Sequence, residues 1–210
     1  MRTVYVVTHP EATHHVEDLV GGWYDSELTA AGVRAASAIA AELSARIPEP
    51  AAAELFSSDL RRTRRTAEII GERLGVPAIL DARLREKSYG VAEGRPQRWL
   101  RERFVPPPAL GERLGHDEGI AAAETMADAG RRAYAAMTAI LARDCREQIV
   151  VTHGGTATFV IAAWLALPLE ALGYARFQVA SGSITELRED DYFHNRQLVR
   201  LGETAHLPAE

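Results

Sequence analysis

Two short stretches of the sequence, Val6-Val7-Thr8-His9 and Val150-Val151-Thr152-His153, share one pattern and decide the fold. In each, β-branched residues predict a buried strand, and a histidine follows directly after the strand's last residue. Ligands of open α/β sheets bind outside the carboxyl ends of the strands, so we expect the two histidines to converge on one site. The alternative is that each histidine is a hydrogen-bonded residue at a strand end with no chemical role.

The segment after the second histidine favours a shared site. Gly154 and Gly155 let the backbone approach a ligand closely, and the helix predicted to begin here favours an anion at its N-terminus. We therefore predict an anion site that includes Gly154 and lies between His9 and His153.

The rest of the chain alternates strands and helices around these stretches. Thr29 is the expected N-cap of a helix that runs to Ile47, and Ser57-Ser58-Asp59 are the expected capping residues of a helix that runs to Leu74. Helices are also predicted over 123–143 and from 154 to about 167. Predicted strands cover 4–7, 54–56, 78–80, 148–152, 184–188 and 197–201, and the last two form an antiparallel pair. This order predicts a three-layer α/β/α sandwich with a mostly parallel central sheet.

Length and composition bound the domain organisation. A chain of 210 residues with 47% hydrophobic content can bury one core, so we expect a single domain over residues 1–210. Residues 90–123 interrupt the pattern with Pro106-Pro107-Pro108, several glycines and mixed charges, which predicts an insertion that acts as a lid or binding loop. Selectivity is expected there. Four residues of the insertion could reach a second anionic group, although solvent-facing charges are the simpler interpretation: Arg98, Arg101, Arg103 and His116.

Charge and cysteine content exclude several classes of protein. The formal net charge is -5 and no basic stripe extends beyond the short Arg61 to Arg65 cluster, so the sequence predicts no nucleic-acid partner. The apolar run from Thr158 to Leu169 is too short to cross a membrane. Cys145 stands alone and the N-terminal segment lacks the features of a signal peptide, which favours a cytoplasmic location. The oligomeric state stays open, with a homodimer as one option.

Five segments of the chain resemble, in the same order, those of the histidine phosphatase (phosphoglycerate mutase-like) superfamily. Thr8-His9-Pro10-Glu11 stands where that family has Arg-His-Gly-Glu. The other four are Ser57-Ser58-Asp59-Leu60-Arg61-Arg62-Thr63, Leu84-Arg85-Glu86, His153-Gly154-Gly155 and the tail from Leu201 to Leu207. The tail is similar to that of the phosphatase branch. The ordered set spans nearly the whole chain, so the sequence is identified as a member of this superfamily.

The resemblance implies a role for each of four residues. His9 is the nucleophile that becomes phosphohistidine, and Arg62 and His153 bind the phosphoryl group. Glu86 gives a proton to the leaving group and later activates water. The resemblance implies a small phosphorylated substrate and neither a cofactor nor a metal. His14-His15 beside His9 could suggest a metal site, but the spacing matches no common zinc pattern, and adjacent histidines on an extended segment point apart.

The first motif departs from the family at two positions. Thr8 replaces an arginine that would grip phosphate, and Pro10 replaces a glycine and removes a backbone N–H. Three outcomes are open. In the first, the site still binds phosphate with help from Thr8, from Arg65 on the helix face of Arg62, or from the neighbouring histidines. In the second, the site takes another anionic or non-phosphate ligand, and in the third the fold serves binding or regulation without catalysis.

Hydrolysis and phosphoryl transfer are both compatible with these motifs. Tyr24-Asp25, Tyr89-Gly90 and Phe104-Val105 are reminiscent of the mutase branch, whereas the chain length and the tail resemble the phosphatase branch. A mutase must hold two phosphate positions, and the loss of an arginine makes that harder. The sequence therefore favours metal-independent hydrolysis of a small phosphomonoester, with a phosphoglycerate-mutase-type transferase as the alternative.

Overall fold

The computed structural model describes residues 1–207, which build a six-stranded sheet flanked by helices on both faces. The strands are β1 (Arg2–Thr8), β2 (Glu54–Ser57), β3 (Ala78–Leu80), β4 (Glu147–Thr152), β5 (Ile184–Glu189) and β6 (Arg196–Glu203). The helices are α1 (Thr13–Val16), α2 (Ala30–Arg46), α3 (Arg61–Leu74), α4 (Gln97–Arg101), α5 (Met126–Leu141) and α6 (Gly154–Trp164).

The strands lie in the order β3-β2-β4-β1-β5-β6. The first four are parallel to one another, whereas β5 runs antiparallel to β1 and β6 antiparallel to β5. The predictions of a mostly parallel central sheet and of a late antiparallel pair are therefore confirmed. Because β1 and β4 are parallel neighbours with Thr8 opposite Thr152, the residues that follow them emerge side by side at one edge of the sheet.

Side chains of β1 alternate between two hydrophobic cores. Tyr5 and Val7 pack with α2 and α3 on one face, and Val4 and Val6 pack with α5 and α6 on the other. This alternation is the period of two that a strand requires when both of its faces are buried. The two cores hold the helices against the sheet, and this packing sets the positions of the residues directly after β1 and β4.

The two long helices on one face begin with different kinds of cap. The Thr29 hydroxyl accepts a hydrogen bond from Gly32 N at 3.0 Å, so its predicted N-cap role is confirmed. For α3 the prediction is wrong: the Arg61 amide donates to the Asp25 carboxylate at 2.7 Å, and Asp59 is held by Arg85 instead. The bidentate ion pair with Arg85 keeps the Asp59 carboxylate away from the first turn of α3, and the Asp25 carboxylate caps the helix instead.

Residues 90–123 contain the short helix α4 and a single 3₁₀ turn at Gly90–Ala92. A small cluster of Val20, Ala92 and Ile120 holds this segment against the loop after α1. Gly90 has φ of +53°, and a Cβ there would come within 2.2 Å of Ala121 O, so only glycine fits. Across residues 1–207, no helix combines the length and the apolar character needed to span a membrane.

Candidate active site

His9 and His153 lie next to each other at the carboxyl edge of the sheet. Their ring centroids are 5.1 Å apart and their planes are nearly perpendicular. Both rings are buried, with 6% and 1% of the residue exposed. The guanidinium of Arg62, from the first turn of α3, reaches the same place. We call this space the histidine pocket; its volume is about 270 Å³, and His9, His14, His15, Arg62 and His153 all line it.

Hydrogen bonds fix the tautomer of His9. Its Nδ1 lies 2.8 Å from the carbonyl oxygen of Pro10, which can only accept, so Nδ1 carries the proton. Its Nε2 accepts from Nε of Arg62 at 3.2 Å, so Nε2 carries the lone pair. Burial, and then the Arg62 charge, lower the pKa of His9 well below its ordinary range. The ring is therefore neutral, and its nucleophilic nitrogen is Nε2, which the Arg62 Nε–H occupies.

Arg62 is a buried cation that no carboxylate neutralises directly. Its terminal nitrogens donate to the carbonyl oxygens of Tyr24 and Gly22 at 2.7 Å each, and 1% of the residue is exposed. Among the ion pairs within residues 1–207, none includes Arg62. Burial lowers its pKa to about 10, and carboxylates beyond contact distance oppose that shift. A buried charge without a partner is costly, so this pocket favours an anionic ligand.

His153 is held from one side only. Its Nε2 lies 2.9 Å from the hydroxyl of Ser58, and its Nδ1 is buried with no hydrogen-bond partner in the described part of the chain. Burial, followed by the charge of Arg62, lowers its pKa well below the ordinary range. An unsatisfied buried nitrogen carries a free-energy cost that a ligand can remove.

The carboxyl group of Glu86 sits at the N-terminus of α6. It accepts from Gly155 N at 2.8 Å, from Thr156 N at 3.1 Å and from Lys87 N at 2.9 Å. The sequence predicts that the N-terminus of α6 favours an anion. In the structure the anionic group at this N-terminus is the Glu86 carboxylate, which accepts from the backbone amides of Gly155 and Thr156. A Cβ at Gly155 would come within 2.5 Å of Glu86 Oε1, whereas a Cβ at Gly154 would meet nothing within 4 Å. Gly154 lines the histidine pocket, but Gly155 is the glycine that the arrangement requires.

Thr8 borders the histidine pocket, but its hydroxyl is engaged elsewhere. The hydroxyl donates to Ala180 O at 2.6 Å and accepts from Ser183 N at 3.1 Å. It therefore ties the end of β1 to the loop before β5, and the expectation that it helps to bind phosphate has to be corrected.

Arg65 also requires a correction. It lies on α3 one turn after Arg62, but its guanidinium faces solvent and pairs with Glu68 and Glu72 at 3.2 and 3.5 Å. It is not among the residues that line the histidine pocket. Residues three apart on a helix lie only about 60° from each other, so Arg65 lies at the edge of the face that carries Arg62, and its guanidinium turns outward to the carboxylates of Glu68 and Glu72.

His14 and His15 lie closer together than the sequence predicts, because they belong to the single turn of α1 and not to an extended segment. Their ring centroids are 4.0 Å apart, and the ring of His15 stacks on that of His9 at 5.6 Å. Nδ1 of His15 accepts from Ala12 N at 3.2 Å, so its proton is on Nε2 and the ring can donate to a ligand. Within residues 1–207, no group of three or more His, Cys, Asp or Glu side chains is arranged to hold a metal ion.

Other residues of the site escape sequence reasoning. Tyr89, Gln97 and Ser181 line the histidine pocket from three separate segments of the chain, Gln97 as the first residue of α4. Arg132 donates to the backbone oxygen of Glu86 at 2.7 Å and pairs with Glu124, which holds the loop that carries Glu86. Long-range loop contacts of this kind leave no local pattern. The four charged residues of the 90–123 segment named above are absent from this pocket.

Comparisons with known proteins find relatives that match nearly the whole chain. A probable phosphoglycerate mutase, GpmB, of Yersinia pestis (strain Pestoides F) is 30% identical over 217 residues, which cover 99% of this chain and 95% of the relative. A mycobacterial glucosyl-3-phosphoglycerate phosphatase, solved in complex with VO3, is 26% identical and superimposes with a TM-score of 0.79 over 97% of this chain and all of its own. Bacillus stearothermophilus YhfR, at 24% identity and a TM-score of 0.77, shares the fold over 99% of this chain and 100% of its own.

The family comparison covers almost the same length. The model of the histidine phosphatase superfamily (branch 1) matches residues 4–203, from the first strand to the end of the last. The relatives named above include a probable mutase and a phosphatase. The chain belongs to the histidine phosphatase superfamily.

Proposed function

We propose that this protein hydrolyses a small phosphomonoester without a metal ion, through a phosphohistidine formed on His9. The observation that carries the proposal is the buried Arg62 guanidinium, which has no carboxylate partner within residues 1–207 and donates to the lone-pair nitrogen of His9. A phosphoryl group placed there supplies the missing negative charge next to the nucleophile.

Each half of the reaction uses groups already positioned in the pocket. A bound phosphoryl oxygen takes over the hydrogen bond from Arg62 Nε–H, which frees the lone pair of His9 Nε2. Nε2 then attacks phosphorus while the ester P–O bond breaks, and the carboxylic acid form of Glu86 gives its proton to the leaving oxygen. Water then attacks phosphorus, its proton passes to the Glu86 carboxylate, and the P–N bond breaks to release phosphate and neutral His9. Arg62, His153 and the Nε2–H of His15 lie where donors to the phosphoryl oxygens are needed. His15 thus compensates in part for the arginine that Thr8 replaces.

The test is turnover of 4-nitrophenyl phosphate in excess EDTA, combined with mass spectrometry of enzyme quenched in alkali, which preserves phosphohistidine. We expect activity with the chelator present, one added phosphoryl group on the peptide that contains His9, and a loss on the order of 10⁴-fold or more in His9→Ala. His116→Ala is the matched control, because His116 lies outside the pocket with Nε2 on Val105 O. Turnover that survives in His9→Ala contradicts the proposal.

A phosphoglycerate-mutase-type transfer is the second candidate, favoured by the name of the relative that is 30% identical. The two activities separate in one assay with 3-phosphoglycerate. Release of inorganic phosphate without formation of the 2-phosphate isomer supports hydrolysis. Isomer formation without phosphate release supports the mutase. If a phosphate analogue such as vanadate raises the melting temperature but neither product forms, the fold serves as a binding module.

A further inference from the structure

A second pocket adjoins the histidine pocket and shares Glu86 and Tyr89 with it. Its volume is about 370 Å³, which holds roughly a dozen water-sized groups at about 30 Å³ each. We call it the arginine pocket after two of its lining residues, Arg113 and Arg176. Because Glu86 is the proposed proton donor to the leaving group, the leaving group extends into this second pocket.

Most of the arginine pocket is lined by apolar and aromatic side chains. The 104–118 segment contributes one wall, α5 and α6 contribute a second, and the loop after α6 contributes the third. The apolar lining residues include Phe104, Pro107, Leu114, Met126, Phe159 and Leu172. A lining of this kind favours a ligand whose apolar surface becomes buried on binding. A three-carbon acid has little such surface and would leave most of the pocket volume to water.

The charged side chains of the pocket leave two cations without acidic partners. Lys87 pairs with Glu118 at 2.6 Å, and both are at most 10% exposed, so their charges cancel. Neither Arg113 nor Arg176 has a carboxylate within 4 Å in the described part of the chain. Even with Glu86 counted as ionised, the pocket keeps a net positive charge.

Arg113 is positioned more tightly than an ordinary surface arginine. Its guanidinium stacks on the ring of Tyr174 at 5.0 Å, and the Tyr174 hydroxyl bonds to both backbone groups of Gly111 at 2.9 and 3.0 Å. Its only side-chain hydrogen bond within residues 1–207 goes to Ala109 O at 3.2 Å, and its Nε is buried without a partner. A fixed, mostly unused guanidinium fork matches a carboxylate or a phosphate. Arg176 is exposed and adds a second charge to the same pocket.

We infer that the leaving group of the substrate has an apolar or aromatic body and a second anionic group, which Arg113 and Arg176 bind. This inference rests on the proposed function for the position of the phosphoryl group. The sequence offers Arg98, Arg101, Arg103 and His116 as possible contacts of a second anion, with solvent-facing charges as the simpler interpretation. Those three arginines are exposed, and none of the four lines either pocket.

The test compares two substrates that differ only in charge, 4-carboxyphenyl phosphate and its neutral amide, 4-carbamoylphenyl phosphate. We expect kcat/KM to be about tenfold or more higher for the carboxylate. This preference should disappear in the double variant Arg113→Met/Arg176→Met, because kcat/KM for the carboxylate falls to about that for the amide. Arg101→Met, in the same segment but outside the pocket, should keep the full preference.

Calorimetric binding of the leaving groups themselves separates this inference from the proposed function. 4-Hydroxybenzoate should bind the wild-type chain more tightly than 4-hydroxybenzamide, and Arg113→Met should remove the difference, whether or not any phosphate ester is turned over. Equal affinities in the wild type overturn the inference. A kcat/KM for 3-phosphoglycerate above that for 4-carboxyphenyl phosphate overturns the apolar part of it. Absence of turnover with the binding preference intact overturns only the proposed function.

Discussion

The histidine pocket and the arginine pocket meet at Glu86 but are built in opposite ways. The first is small, and buried rings held by backbone and hydroxyl groups surround the single cation Arg62. The second is larger, mostly apolar, and has two arginines with no carboxylate within 4 Å in the described part of the chain. Catalytic side chains that must keep their positions during a reaction are held by hydrogen bonds. A part of the ligand that takes no part in the chemistry needs only a pocket of matching shape and charge. On the function and the inference proposed above, the chemistry belongs to the histidine pocket and the selectivity to the arginine pocket.

After His9→Ala, Glu86→Gln gives the largest expected effect, because Glu86 serves both pockets. For an alkyl phosphate, whose leaving oxygen needs a proton, we expect kcat to fall about 10²–10⁴-fold. For 4-nitrophenyl phosphate, whose leaving group departs as a stable anion, the fall should be much smaller. Steady-state kinetics on the two substrates check the prediction. Equal losses on both would indicate that Glu86 only holds the N-terminus of α6 in place.

Arg62→Met should lower kcat/KM about 10²–10³-fold for every phosphate ester, because it removes the donor beside the nucleophile. The matched control is Arg65→Met, three residues along the same helix and paired with Glu68 at the surface. We expect its kcat/KM to stay within about twofold of wild type. A comparable loss in both variants would show that the surface of α3 takes part in binding and would remove the contrast between the two arginines.

The pH dependence of stability should come from the histidine pocket. Burial, followed by the charges of His15 and Arg62, lowers the pKa of His14 from 6.5 to about 3. The unfolded chain therefore takes up a proton as the pH falls through about 6.5 and the folded chain does not. Stability is fully present above that pH and declines below it, by about 2 kcal/mol at pH 5 for this residue alone.

Chemical denaturation across this pH range tests that expectation. His14→Gln should flatten the dependence by about the contribution of one histidine. Arg113→Met should leave the dependence unchanged, because arginine keeps its charge over the whole range. An unchanged slope in His14→Gln would mean that His14 titrates normally in the folded protein.

Thr8→Val should give the smallest effect, on stability and not on turnover. The substitution leaves Ser183 N and Ala180 O without their side-chain partner, so we expect a loss of about 1–2 kcal/mol in the free energy of unfolding. Turnover of 4-nitrophenyl phosphate should stay within about twofold of wild type. A loss of turnover similar to that of Arg62→Met would return Thr8 to the phosphate site.

The part of the molecule that sequence predicts well is the part that local chemistry determines. The strand residues of β1 and β4 alternate between two cores, so their apolar runs and the position of each following histidine are visible in the sequence. The Thr29 cap is equally local. The cap of α3 is not, because Asp25 lies 36 residues before the amide that it binds.

Sequence reasoning fails where two loops meet. The approach of Arg113 to Tyr174 depends on packing between distant segments, whereas the direction of Arg65 and the contact between His14 and His15 are set within α3 and α1. A motif can place His9, Arg62 and His153 together because neighbouring elements of the sheet hold them. It cannot place Arg113, because the 104–118 segment has no regular structure to set the direction of its side chains.

The ion pair of Lys87 with Glu118 offers a way to follow the arginine pocket in time. Lys87 is the only lysine of the chain, and its ammonium is buried against the 104–118 segment. Amine-reactive esters can modify it only while that segment is open, so the rate of its acylation measures how often the pocket opens. A ligand that fills the pocket should slow this labelling, and one that binds only at His9 should not.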